Sequence, residues 1–132
     1  RIDKKLGIMM MDIDHFKTIN DTFGHARGDQ VISHVADLML IHSRKADIVF
    51  RIGGDEFMVL LPDTDEFQAQ AQAERIRKHI ERTPIVLNDQ AVRLTVSLGV
   101  ACYCENPKIE ALVHTADERL YQSKNQGRNR AT

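Results

Sequence analysis

The sequence is poor in the features that mark several protein classes. It has two cysteines in 132 residues, Cys102 and Cys104. They lie two apart in an apolar, strand-like run, a spacing that suits neither a relaxed disulfide nor a zinc site. They read as buried thiols of a reducing compartment. The six histidines show no H-E-x-x-H pattern and no paired metal spacing. Net charge is -1, so no general basic field draws in nucleic acid or anionic membrane. Any phosphate chemistry must come from a few placed cations. No apolar run is long enough to cross a bilayer, and no charged-then-apolar leader is present. The chain opens abruptly on Arg1 and reads as a piece of a longer protein. Internal repeats, low-complexity segments and linkers are missing too.

Hydrophobic residues make up 42% of the chain, enough for a core at this length. LGIMMM, from Leu6 to Met11, reads as a strand buried on both faces and ends at Asp12. A short helix is expected from about His15 to Thr22, stopped by Gly24. A second helix is expected after Gly28, capped by Asp29, with Val31, Ile32, Val35, Leu38 and Met39 on its apolar face. Asp47–Ile52 and Phe57–Leu61 read as two strands of a hairpin, with Gly53-Gly54-Asp55-Glu56 at the bend and glycine supplying positive φ. Asp63 to Glu66 has capping-box spacing for a helix that runs to about Arg82 and buries Ala69, Ala73, Ile76 and Ile80. Ile85–Leu87 and Ala91–Leu94 suggest a minor hairpin. Leu94–Cys102 alternates: Thr95, Ser97, Gly99 and Ala101 give one face small enough for close packing. Asn106-Pro107 opens a last helix with Ile109, Leu112, Val113, Ala116 and Leu120 inward, ended by Gly127. The order β-α-α-β-β-α-β-α predicts an α+β fold: a mixed, mostly antiparallel central sheet flanked by helices.

Two acidic stretches stand out. In MDIDHFK, Asp12 and Asp14 point to one side of an extended chain. Gly-Gly-Asp-Glu alone could be the solvated tip of a hairpin. If the first strand lies beside the hairpin, however, Asp12 and Asp55 meet at one edge of the sheet. Two close carboxylates repel, and a divalent metal completed by substrate phosphates resolves that repulsion.

The sequence resembles the GGDEF domain, the diguanylate cyclase family of bacteria. Gly53-Gly54-Asp55-Glu56-Phe57 is the family signature unaltered. MDIDHFKTINDTFGHARGD (11–29), TVSLGVA (95–101) and ADERLYQSKNQGRNR (116–130) match other family segments in order. The resemblance implies the nucleotidyl cyclase and polymerase palm fold. It implies one catalytic domain over residues 1–132, without the family's usual N-terminal segment. It further implies condensation of two GTP into cyclic di-GMP with release of two pyrophosphates, across an active site shared by two subunits of a homodimer.

Carried residue by residue, the resemblance implies that Asp12, the Ile13 carbonyl and Asp55 hold Mg2+ or Mn2+. Asp55 would also be the general base, with Glu56 assisting, while Phe57 anchors its strand in the core. Phe16, Lys17, Asn20, His25, Asp29, Lys124 and Arg128 would bind substrate. Asn20 and Asp29 would read guanine, because a carboxylate accepts from N1–H and the exocyclic amine that adenine lacks. Lys124 and Arg128, near one helix end, suit either the helix dipole or a triphosphate. Arg44-Lys45-Ala46-Asp47 matches the family's RxxD inhibitory site, completed by Arg75. The implied partners are GTP, cyclic di-GMP as product and inhibitor, and an upstream sensory or receiver domain. No nucleic acid polymer and no membrane contact by this domain are expected. The expected location is the cytoplasm, with tethering to the inner membrane through upstream segments left open. The alternative is a catalytically idle module that binds GTP or cyclic di-GMP as a sensor.

Overall fold

A computed structural model describes residues 5–103 and 108–132. Cys104 and the Asn106-Pro107 helix start lie outside the described residues. The elements run β1 (Leu6–Ile13), α1 (Phe16–Phe23), α2 (His25–Ile41), β2 (Ile48–Gly53), β3 (Glu56–Pro62), α3 (Glu66–Glu81), β4 (Ile85–Leu87), β5 (Gln90–Val92), β6 (Val96–Tyr103), α4 (Ile109–Asn125) and β7 (Arg130–Ala131). The main sheet has the order β2-β3-β1-β6-β7, antiparallel except for the parallel β6–β7 pair. β4 and β5 form a separate hairpin.

β1 is the centre of this sheet, and its period-two alternation sorts side chains to two cores. Met9, Met11 and Ile13 join Val59, Leu61, Leu98 and Val100 in the core covered by α1, α2 and α3. Ile8 and Met10 join Ala101, Leu112, Ala116 and Leu120 in the core under α4. The continuous apolar run of β1 is thus explained by burial on both faces, as its sequence predicts.

The small-residue face of β6 admits α4 at very short range. A Cβ added to Gly99 would lie 2.1 Å from the Ala116 carbonyl oxygen and 2.2 Å from the Leu120 nitrogen. Both are backbone atoms of a packed helix and cannot step aside. Ser123 Oγ donates to the Leu98 carbonyl at 2.7 Å, tying the end of α4 to the same strand. Gly127, at φ 118°, then turns the chain. Arg128 N reaches the Ser123 carbonyl at 2.9 Å and Gly127 N the Lys124 carbonyl at 3.4 Å, the paired bonds of a Schellman end.

Several local expectations are corrected. α2 begins at His25, so Asp29 lies inside the helix and is no cap; Gly24, at φ 89°, serves as both the end of α1 and the start of α2. The capping box of α3 is Asp65 with Gln68, two residues beyond the expected Asp63 start. Gly53 and Gly54 do not use positive φ; a Cβ on either would meet nothing within 4 Å. Ile109 is exposed and not part of the buried stripe of α4. β7 was not expected, because two residues carry no periodicity; it is recognisable only by its bonds to β6, with Val100 N donating to the Thr132 carbonyl at 2.8 Å.

The Gly99 contact generates a stability prediction. Gly99→Val should destabilise the domain by about 3 kcal/mol or more, because overpacking against backbone finds no relief. Urea unfolding reads it, and a change below about 1 kcal/mol would contradict the close approach.

Candidate active site

Three sites emerge from this frame. The first lies where β1 ends. Asp12 pairs in register with Glu56 of β3 and Ser97 of β6, and it is only 8% exposed. Ile13 N donates to the Asp55 carbonyl at 3.2 Å, so the β2–β3 bend is stitched to the end of β1. The two acidic stretches, with Asp12 and Asp55 43 positions apart in sequence, therefore share one edge. A cavity of about 280 Å3 there is lined by Asp12, Ile13, Phe16, Lys17, Asp55, Lys124 and Arg128, together with Asp14, His15 and Thr18.

Asp14 has a different task from Asp12. Its carboxylate accepts from Thr95 Oγ1 at 2.8 Å, Ser97 Oγ at 2.7 Å and Asn129 N at 3.0 Å. A buried carboxylate with three such donors is structurally committed. It locks β6 and the turn after α4 to the end of β1. Asp12 instead takes an ion pair from Lys124 Nζ. The family resemblance assigned Lys124 to substrate; here its charge is paired with Asp12 and also acts on Asp55.

The electrostatics are those of crowded acids. Burial pushes the Asp55 carboxyl above its usual range, and the Asp12 charge adds to this, with Lys124 acting against both. Burial likewise raises Glu56, helped by Asp12 and Asp117. Glu56 stands opposite Asp12 in the sheet and does not line the cavity. Among the described residues no group of three or more His, Cys, Asp or Glu forms a protein cage for a metal. The donor set still fits a hard divalent ion: two carboxylates and a main-chain carbonyl at one cavity, with the remaining positions left to water and substrate phosphates.

His15 and Thr18 were missed by the sequence reading. His15 sits at the start of α1 with φ 58° and gives no side-chain cap. The first amides of α1 therefore have no intrahelical or side-chain acceptor, and they border the cavity, a ready seat for an anion. No residue pattern announces this; the nearest signal is the lack of Ser, Thr, Asp or Asn just before Phe16.

The second site is on the α1–α2 corner. Asn20 Oδ1 is buried and has no hydrogen-bond partner among the described residues. Gly28 opens the space for it: a Cβ there would lie 1.8 Å from Asn20 Oδ1 and 3.3 Å from Phe16 Cζ. Asp29 follows Gly28 and is exposed, as is His25 at the first turn of α2. Phe16 and Asn20 are one helical turn apart on α1, which links this corner to the first cavity.

The third site gathers Arg44 and Arg75 at a cavity of about 320 Å3, with Phe67 fully in the open at 83% exposure. Asp47 is not presented to a ligand. Its side chain is 0% exposed and accepts from Arg44 N at 2.7 Å, Arg44 Nη2 at 2.8 Å and Gln72 Nε2 at 3.0 Å. Arg44 Nη2 also donates to the Pro62 carbonyl at 2.7 Å and to Thr64 Oγ1 at 2.5 Å. Asp47 thus fixes the arginine; Gln72, Thr64 and Phe67 are residues the sequence reading did not find.

Comparison with known proteins follows this geometry closely. An antiparallel palm-like sheet with paired acids at the end of its central strand defines a class of metal-dependent nucleotide enzymes. Residues 1–130 match the family described as "Diguanylate cyclase, GGDEF domain", and the chain belongs to that family. It is 45% identical over 128 residues to Diguanylate cyclase A of Treponema denticola, covering 96% of this chain and 34% of that protein. It is 40% identical over 131 residues to Diguanylate cyclase DosC of Escherichia coli K12, covering 98% of this chain and 28% of that protein. The chain therefore spans about a third or less of these curated relatives. The GGDEF domain of DgcB from Caulobacter crescentus, solved in complex with c-di-GMP, superposes with a TM-score of 0.93 at 32% identity, over 98% of this chain and 77% of that one. The active GGEEF domain of a diguanylate cyclase from Vibrio cholerae gives 0.90 at 32% identity, over 97% and 81%.

Asp47 carries a pH prediction. Burial alone would raise its carboxyl, but the bonds from Arg44 and Gln72 prevail and hold it below its usual value. Its stabilising effect is therefore present above the unfolded pKa and is lost as pH falls through the folded pKa. Asp47→Asn should cost about 1–3 kcal/mol at neutral pH. The gap to the wild type should close in acid below the usual aspartate range, in denaturation curves taken across pH. An unchanged gap would contradict the ionic role.

Proposed function

We propose that this domain is a diguanylate cyclase, converting two GTP into cyclic di-GMP and two pyrophosphates. The observation that carries the reading is the convergence of Asp12 and Asp55 with Lys124 on one cavity beside the uncapped start of α1. Membership of the family and 40–45% identity to named diguanylate cyclases support it.

Asp12, Asp55 and the Ile13 carbonyl hold a divalent ion, Mg2+ or Mn2+. Once bound, that ion supplies charge neutralisation of the phosphates and acidification of the ribose 3′-hydroxyl. The chain does the rest. Lys17, Lys124, Arg128 and the first amides of α1 position the triphosphate. Asn20 and Asp29 read guanine: Asn20 Oδ1 waits for a donor, and a carboxylate at Asp29 suits N1–H and the amine. Phe16 packs between these two regions, and His25 borders the nucleotide. The new bond joins a 3′-oxygen to an α-phosphorus, the bond to the pyrophosphate oxygen breaks, and the proton leaves to Asp55 or, through solvent, to Glu56. Each subunit of a homodimer holds one GTP, and the step occurs twice.

Arg44 and Arg75 line a cavity suited to the product, with Asp47 holding Arg44 in place. The complex of the Caulobacter domain with c-di-GMP supports cyclic di-GMP as a ligand here. We assign residues 1–132 to a single catalytic domain, acting as the output of a longer chain with a sensory or receiver segment. No helix among the described residues is long and apolar enough to cross a membrane. The need for GTP places the domain on the cytoplasmic side.

Incubation with GTP and Mg2+ or Mn2+, followed by chromatography, tests the activity. Cyclic di-GMP should appear, and Asp55→Ala should cut its rate by about a hundredfold or more, the scale of a single acid–base group. GTP bound without turnover by the wild type would overturn the enzyme and leave the idle sensor module. Arg44→Ala should raise the cyclic di-GMP concentration needed for inhibition by about tenfold, as loss of a charge-assisted contact does. Unaltered product binding in calorimetry would remove the third site from the account.

A further inference from the structure

A second cluster of cations lies beyond the Arg44 cavity, between the ends of α2 and α3. His42 closes α2, and Lys78, His79 and Arg82 occupy the last turn and end of α3. With Arg75 they line a cavity of about 220 Å3. No acidic side chain lines it. Among the described residues, Arg75, Lys78 and Arg82 take part in no ion pair, whereas Arg44, Arg77, Arg93, Arg119 and Lys124 each have at least one.

The ordinary explanation is that basic groups favour the negative end of a helix. That accounts for Lys78 and His79 singly. It does not account for Arg75, which lies a turn earlier, nor for the state of His42. The His42 Nε2 atom is buried and has no hydrogen-bond partner among the described residues. Its ring meets the His79 ring edge-on at 4.5 Å between centroids, and its carbonyl is already taken by Gln72 Nε2 at 3.1 Å. An orphaned ring nitrogen beside three unpaired cations is a polar site lacking its acceptor.

We infer that His42, Arg75, Lys78, His79 and Arg82 form a binding site for a small phosphoryl oxyanion. Such an anion supplies several acceptor oxygens at once, satisfying the His42 ring nitrogen as an N–H donor and the forks of Arg75 and Arg82. Free phosphate, pyrophosphate and a nucleoside monophosphate share this chemistry, and the titration below tells them apart. Arg75 also lines the Arg44 cavity, so the two sites abut and share one guanidinium. This inference does not require that the domain turn over GTP.

Imidazole 1H–15N spectra of the domain, titrated with inorganic phosphate, pyrophosphate or GMP against sodium chloride at matched ionic strength, provide the test. Saturable shifts at His42 and His79, with exposed His114 on α4 unmoved, are expected. The anion that saturates lowest identifies the source. Lys78→Ala combined with Arg82→Ala, both at exposed positions, should weaken binding by about tenfold or more. Shifts that merely track ionic strength, or that persist at wild-type strength in the double variant, would overturn the site. The wild-type titration decides the matter even if the variant is poorly folded.

Discussion

Two carboxylates that repel each other are held together at the end of the central strand, and the rest of the molecule is arranged around that conflict. The backbone bond from Ile13 to the Asp55 carbonyl fixes the bend of β2 and β3 against β1. Neither acid can retreat, because Asp12 belongs to a strand hydrogen-bonded on both sides. A cation is the remaining remedy. In the structure that cation is Lys124, paired with Asp12.

Lys124 reaches Asp12 only because α4 lies almost on the backbone of β6. The glycine at 99 sets that distance, and Ser123 and the Schellman end register the helix along the strand. Asp14 then ties the turn after α4 back to β1 and β6 through Asn129, Thr95 and Ser97. Rigid elements thus position the charged groups. The opposite core, under α1 to α3, positions the Asn20 corner and the Arg44 cavity.

Much of this was legible in the residues because strong periodicities carried it. The run LGIMMM reads as a strand buried on both faces, and the small face of 95–101 announced a close neighbour. Asp12 and Asp55 could be brought together by reasoning about strand adjacency alone. Other features were hidden for physical reasons. Asp29 looks like a cap because aspartate favours caps, yet helix formation began four residues earlier at a glycine hinge. The Gly53-Gly54 bend suggested positive φ, whereas the structure leaves open space above both residues instead. The lock around Asp14, the pairing of Lys124 with Asp12 and the burial of Asp47 depend on contacts between residues 25 to 115 positions apart, which no local pattern encodes.

Binding of Mn2+ in the presence of a non-hydrolysable GTP analogue, followed by electron paramagnetic resonance, probes the shared-cation claim most directly. Asp12→Asn and Asp55→Asn should each abolish the tightly bound Mn2+ signal, and the double variant should be no worse than either, as for two ligands of one ion. Tight Mn2+ retained by either single variant, at wild-type affinity, would show that the two acids do not share a cation.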